Sequence, residues 1–122
     1  LPLLDGWNSQ RRKIASQYAE QIRHPAVITT AITGADHVAH LYVIRSPHRD
    51  ALKKHLHESG IASDIHYPIL DIHQPVISSA YAGVSLPVSE KVRDEILTLP
   101  CYPELTMDEV DVITDCINRW KP

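Results

Sequence analysis

The chain has 122 residues, of which 43% are hydrophobic, and this combination is typical of one globular domain rather than a disordered segment. Twelve Lys and Arg residues stand against fifteen Asp and Glu residues, so the formal net charge is −3. That balance provides no basic surface for nucleic acid or for an anionic membrane. No apolar run approaches the roughly 18 residues of a membrane-spanning helix. With only Cys101 and Cys116, we expect reduced thiols in a cytoplasmic protein rather than a disulfide framework.

The N-terminal part of the chain predicts a long helix followed by two strands. Apolar residues recur there at three- and four-residue spacing, so a helix is expected over residues 5–23, ending before Pro25. Its apolar face comprises Leu4, Trp7, Ile14, Ala15, Tyr18 and Ile22. A β-type run at residues 27–30 and a nearly continuous apolar run at residues 38–44 predict strands, the second of them central in a sheet.

Capping residues mark a second helix in the middle of the chain. Ser46-Pro47 is typical of a helix start, and Gly60 is expected to end that helix. Residues 61–65 form a run short enough for a strand. Residues 66–83 show no sustained period, and an irregular segment of this length in a compact domain is usually functional or disordered.

The C-terminal part predicts two more helices with a short extended piece between them. A helix is expected over residues 87–97 and an extended piece over residues 98–100. Thr106 and Glu109 form a capping box that opens the last helix. The apolar face of that helix comprises Met107, Val110, Ile113, Ile117 and Trp120. The element order favours an α+β fold with helices packed on a small, mainly antiparallel sheet.

Eight histidines raise the possibility of a metal site, but their spacing argues against one. His37 and His40 would leave opposite faces of a strand, and His55 and His57 do not face each other on a helix. No zinc motif, nucleophile elbow or glycine-rich phosphate loop occurs. We therefore assign no metal ligand and no catalytic residue, and a histidine metalloenzyme is kept only as a minor alternative.

The segment Asp64-Ile65-His66-Tyr67-Pro68 is the candidate for chemistry. His66 and Tyr67 leave a strand and enter the long irregular segment, and Pro68 biases Tyr67 towards an extended backbone. Together with His73 and Gln74 they offer donors and acceptors for sugar hydroxyls or a phosphate. The alternative is a turn whose aromatic ring packs on the core, and the pattern by itself leaves both open.

Four segments, taken in order, resemble the DegT/DnrJ/StrS sugar aminotransferases. They lie at residues 3–18, 40–52, 60–68 and 97–106. The third ends in His66-Tyr67-Pro68, and the fourth contains Leu99-Pro100-Cys101-Tyr102-Pro103. Their order and spacing together carry the resemblance.

The resemblance implies the C-terminal small domain of a fold-type-I aminotransferase. Residues 1–23 would be the bridging helix and residues 24–122 the small α+β domain. Pyridoxal phosphate would form a Schiff base with a lysine of a large domain that precedes Leu1, because no lysine here matches the family's cofactor lysine. The resemblance thus implies no cofactor-binding residue in this chain, and we expect the chain alone to be inactive.

The implied reaction moves an amino group from an amino acid, glutamate being expected, to a nucleotide-linked keto sugar. The full-length enzyme would be a homodimer. His66, Tyr67 and His73 would contact substrate, although His73 falls one position later than the family's histidine and Leu70 replaces a common proline. The alternative is a stand-alone, non-catalytic α+β module for binding or dimerisation.

Overall fold

A three-stranded antiparallel sheet and four helices organise the part of the chain that the computed structural model describes, residues 2–30, 34 and 36–122. The elements are α1 (Leu4–Gln21), β1 (Ile28–Thr29), β2 (Tyr42–Arg45), α2 (Arg49–Glu58), α3 (Pro87–Glu95), β3 (Ile96–Leu99) and α4 (Met107–Arg119). The strand order is β1-β2-β3, with Ile28 opposite Arg45 and Tyr42 opposite Leu99. The predicted α+β fold with a small antiparallel sheet is confirmed.

The core lies between the sheet and helices α1, α2 and α4. Its members come from every one of these elements because each presents one apolar face, as the sequence periodicity requires. Fully buried side chains include Ile14, Tyr18, Tyr42, Ile44, Leu52, Leu56, Leu97, Val110 and Ile117. The predicted inner face of α1 is correct from Ile14 onwards, but Leu4 and Trp7 are 41% and 43% exposed. No described element covers the first two turns of α1.

Local caps agree with the sequence at two positions. Thr106 Oγ1 accepts from the Glu109 backbone N–H at 3.3 Å, while the Glu109 carboxylate accepts from the Thr106 N–H at 2.8 Å. The capping box that opens α4 is thereby confirmed. Gly60 ends α2 with a φ of +76°, a left-handed conformation in which a side chain would be strained.

Two predicted strand boundaries are wrong because local backbone geometry competes with sheet pairing. The central strand begins at Tyr42 rather than residue 38, since Ala39 takes a left-handed φ of 51° and its N–H donates to His37 Nδ1 at 3.0 Å. Residues 61–65 do not form a strand, since only Asp64 pairs with a strand residue, Thr98.

Two predicted helix boundaries are also wrong. Helix α2 begins at Arg49, and Ser46 Oγ accepts from the His48 N–H at 3.2 Å in a turn that precedes it. Helix α3 starts at Pro87 as expected but ends at Glu95, because Ile96 and the three residues after it pair with β2. Tertiary pairing here overrides the helical periodicity.

Candidate functional site

The segment that carries the candidate residues is fixed to the free edge of β3. The Thr98 N–H donates to the Asp64 carbonyl at 2.7 Å, and the Asp64 N–H donates to the Thr98 carbonyl at 3.2 Å. Lys53 also forms an ion pair with the Asp64 carboxylate at 3.5 Å. The backbone N–H of Ile65 lowers the pKa of Asp64, so this carboxylate is charged at neutral pH. The residues after Asp64 therefore leave the sheet from a defined point.

His66 is half-buried beside β3. Its Nδ1 lies 3.0 Å from Thr98 Oγ1, within hydrogen-bond distance. Its Nε2 has no hydrogen-bond partner among the described residues. The fold thus holds one ring nitrogen, while the other is not engaged by the described residues.

Tyr67 projects into solvent, and its side chain is stabilised mainly by its neighbour. The residue is 69% exposed, and its ring meets the imidazole of His66 edge-on, at a centroid distance of 5.4 Å and an interplanar angle of 89°. The peptide bond that joins the two residues is cis. Such exposure contradicts the alternative in which this ring packs on the core. The phenol oxygen has no partner within the described chain.

Tyr67 forms one wall of a groove of about 490 Å³ between the irregular segment and α3. The groove is mainly apolar, with a carboxylate, a hydroxyl and a guanidinium among its lining groups. Its lining residues are Tyr67, Ile69, Leu70, Asp71, Ile72, Leu86, Val88, Ser89, Val92, Arg93 and Ile96. An apolar surface with a few polar groups is the usual composition of a small-molecule site. We refer to it below as the Tyr67 groove.

The third candidate, His73, lies apart from the other two. It ends a 3₁₀ turn (Asp71–His73), is exposed, and its backbone N–H donates to Leu70. Its side chain does not line the Tyr67 groove and forms no hydrogen bond or ring contact with His66 or Tyr67. The structure therefore brings His66 and Tyr67 together and leaves His73 outside the pair.

Sequence reasoning missed Thr98 as a member of this site. The only sequence signal is that a single polar residue stands between Leu97 and Leu99 in an apolar run, and it does not indicate which residue Thr98 contacts. Its side chain leaves the opposite face of β3, where His66 lies. A threonine with this alternation is easily taken for an ordinary β-branched strand residue.

The lysines of the described chain do not fit a covalent pyridoxal phosphate site. Lys54 and Lys91 pair with Glu58 and Glu95 on their own helices, each at 3.8 Å. The remaining lysines are Lys13, Lys53 and Lys121, and none of the five is buried. A Schiff-base lysine needs a site shielded from water, and every described lysine is exposed or only partly buried.

Metal binding and thiol chemistry find no support in the described residues either. Among them, no group of three or more His, Cys, Asp or Glu side chains converges on a point that could hold a metal ion. Both cysteines are free, and burial raises the pKa of Cys101 to about 11. A thiol with such a pKa is unreactive at neutral pH.

The described helices include none with the length and apolar character needed to cross a membrane.

The sequence of this chain is similar to those of known aminotransferases. Residues 1–118 match the DegT/DnrJ/EryC1/StrS aminotransferase family. The dTDP-3-amino-3,6-dideoxy-alpha-D-galactopyranose transaminase of Aneurinibacillus thermoaerophilus is 36% identical over 98% of this chain and 33% of its own length. The UDP-N-acetyl-3-dehydro-alpha-D-glucosamine 3-aminotransferase of Acidithiobacillus ferrooxidans is 37% identical over 97% of this chain and 32% of its own. The chain thus spans about a third of these relatives.

The solved structures agree with the sequence comparison. The crystal structure of Streptomyces venezuelae DesV in complex with a ketimine intermediate superposes with a TM-score of 0.90. It is 29% identical and is matched over 98% of this chain and 33% of its own. A family match over nearly the whole chain, together with a fold shared at this level, identifies the chain: it belongs to the DegT/DnrJ/EryC1/StrS family of pyridoxal-phosphate-dependent sugar aminotransferases.

Proposed function

We propose that the complete protein transfers an amino group to a nucleotide-linked keto sugar, and that this chain supplies contacts to the sugar substrate. In this proposal residues 1–23 form the bridging helix and residues 24–122 the C-terminal small domain of the enzyme. The proposal is supported by the family match and by the nucleotide-sugar names of both relatives. The cofactor lysine belongs to the rest of the protein, because the lysines here do not fit that role.

The acceptor we propose is a sugar with its keto group at carbon 3. Both relatives described above are named for an amino group at that carbon, one on a dTDP sugar and the other on a UDP sugar. Glutamate is the proposed amino donor, and the complete enzyme is proposed to act as a cytoplasmic homodimer.

The observation that carries the proposal is the pairing of His66 with Tyr67 at the rim of an apolar groove. Both residues follow Asp64, which is paired with β3. The Nε2 atom of His66 and the hydroxyl of Tyr67 have no hydrogen-bond partner in the described chain. An imidazole nitrogen and a phenol hydroxyl can both bond to sugar or phosphate oxygens. The apolar wall beside them suits the C–H face of a sugar ring. His73, which does not line this groove, is proposed as a separate substrate contact.

The test is turnover of a nucleotide-linked 3-keto sugar by the complete protein and its variants. Tyr67→Phe removes one hydroxyl and keeps the ring, and His66→Ala removes the imidazole. Loss of one hydrogen bond to substrate is expected to lower kcat/KM by about tenfold. Tyr102→Phe is the matched control, because Tyr102 is 47% exposed and lies outside the Tyr67 groove. Unchanged kcat/KM in both site variants would overturn the site assignment.

A further inference from the structure

Thr98 is a buried polar residue in the middle of an apolar strand. It is 7% exposed, while Leu97 and Leu99 on either side are 0% and 2% exposed. Both of its backbone groups are engaged by Asp64. The polar group of a side chain with this little exposure is normally hydrogen-bonded inside the protein. Within the part of the chain that the structure describes, Thr98 Oγ1 has one, the Nδ1 atom of His66 at 3.0 Å.

The direction of this hydrogen bond follows from counting donors and acceptors. If Nδ1 carried the proton and donated it to Thr98, the buried hydroxyl would keep a proton with no acceptor among the described residues. If the Thr98 hydroxyl donates to an unprotonated Nδ1, both groups are satisfied. In the second arrangement the proton of neutral His66 lies on Nε2.

We infer that Thr98 is a positioning residue that fixes neutral His66 in the Nε2–H tautomer, so that His66 offers a hydrogen-bond donor to an oxygen of the substrate. The part that concerns substrate rests on the proposed function. The inference specifies the contact between His66 and the substrate, because an Nε2–H donor pairs with an acceptor oxygen of a carbonyl, hydroxyl or phosphate group. In this state Nε2 cannot act as a base.

The same bond also orients Tyr67. The backbone is anchored at Asp64 by its pairing with Thr98, and the His66 ring is anchored two residues later by the Thr98 hydroxyl. The imidazole then supports the Tyr67 ring edge-on. Thr98 therefore acts on substrate only through these two side chains.

The first arm of the test reads the tautomer of His66 directly. In the complete protein labelled with 15N-histidine, the His66 signals are assigned by their absence in His66→Gln. Long-range proton–nitrogen spectra at a pH where His66 is neutral are expected to show a protonated Nε2 and an unprotonated Nδ1. Thr98→Val keeps the shape of the side chain and is expected to give a mixture of tautomers, whereas Thr98→Ser restores the single form. A proton on Nδ1 in the wild-type protein overturns the inference without any variant.

The second arm measures turnover of the nucleotide-linked keto sugar in the same proteins. Thr98→Val is expected to lower kcat/KM by about threefold to tenfold, with Thr98→Ser close to wild type and the melting temperature of Thr98→Val not lowered. If His66→Ala leaves turnover unchanged, the proposed function of the site fails even where the tautomer is confirmed. If His66→Ala is impaired while Thr98→Val keeps both the wild-type tautomer and turnover, the positioning role fails alone.

Discussion

Replacing Tyr42 by Phe is expected to stabilise the protein. The Tyr42 side chain is fully buried, and its hydroxyl has no hydrogen-bond partner among the residues that the structure describes. Burial raises the pKa of Tyr42 to about 12, as expected in surroundings that solvate its charged form poorly. An unsatisfied buried hydroxyl costs about 1–3 kcal/mol. Removing one oxygen leaves a void worth only a few tenths of a kcal/mol at about 24 cal/mol per Å³.

The net effect of Tyr42→Phe is therefore a gain of about 1 kcal/mol in the free energy of unfolding, or about 4 °C in melting temperature. Tyr18→Phe is the matched control, since the Tyr18 ring stacks on Tyr42 at 4.9 Å but its hydroxyl donates to the Pro100 carbonyl at 2.9 Å. That variant is expected to lose about 1 kcal/mol. Urea unfolding followed by circular dichroism measures both. A loss in Tyr42→Phe equal to that in Tyr18→Phe would refute the reasoning, because it would show that the Tyr42 hydroxyl has a partner.

Four further predictions concern the thiol, the α4 cap, for which there are two, and the cofactor. Cys101, with its raised pKa, is expected to resist iodoacetamide at pH 8 in the folded chain and to react only after urea is added; equal labelling in both states would contradict this. Thr106→Ala is expected to lower the free energy of unfolding by about 1 kcal/mol at pH 7, whereas an unchanged urea midpoint would show that the cap is unimportant. The Thr106 backbone N–H lowers the pKa of Glu109, so the charged carboxylate contributes fully to the free energy of unfolding at neutral pH. This contribution is lost as the pH falls through the lowered pKa, and the difference in the free energy of unfolding between wild type and Glu109→Gln should shrink over the same pH range. Borohydride treatment of the chain with pyridoxal phosphate is expected to leave no stoichiometric adduct on any single lysine, and one defined adduct would contradict the proposed location of the cofactor lysine.

Those elements that are specified by local signals were predictable from the sequence. The Thr106–Glu109 box and Gly60 are examples, because capping depends on residues adjacent in the chain. Long amphipathic helices were equally visible, since their periodicity extends over several turns. The end of α3 could not be predicted, because Ile96 continues the helical spacing yet pairs with Arg45 of β2. Pairing with a distant strand leaves no trace in the local pattern.

The candidate site was predicted only in part for the same reason. His66 and Tyr67 were identified by resemblance and by their place after a run that was predicted, wrongly, as a strand, and the structure adds that they contact each other. The contact with Thr98 joins residues 32 positions apart, so no spacing rule could predict it. At Ala39 the sequence prediction fails for a local reason instead. The hydrogen bond from the Ala39 N–H to the His37 ring lies in a run that was predicted as a strand and that does not pair there.

The most direct test of the central claim is the crystal structure of the complete protein with its nucleotide-linked sugar bound. We expect the Nε2 atom of His66 or the hydroxyl of Tyr67 to lie within hydrogen-bond distance of an oxygen of that ligand, with the Thr98–His66 bond retained. A nucleotide sugar bound with both side chains out of contact would contradict the assignment of His66 and Tyr67 as substrate contacts.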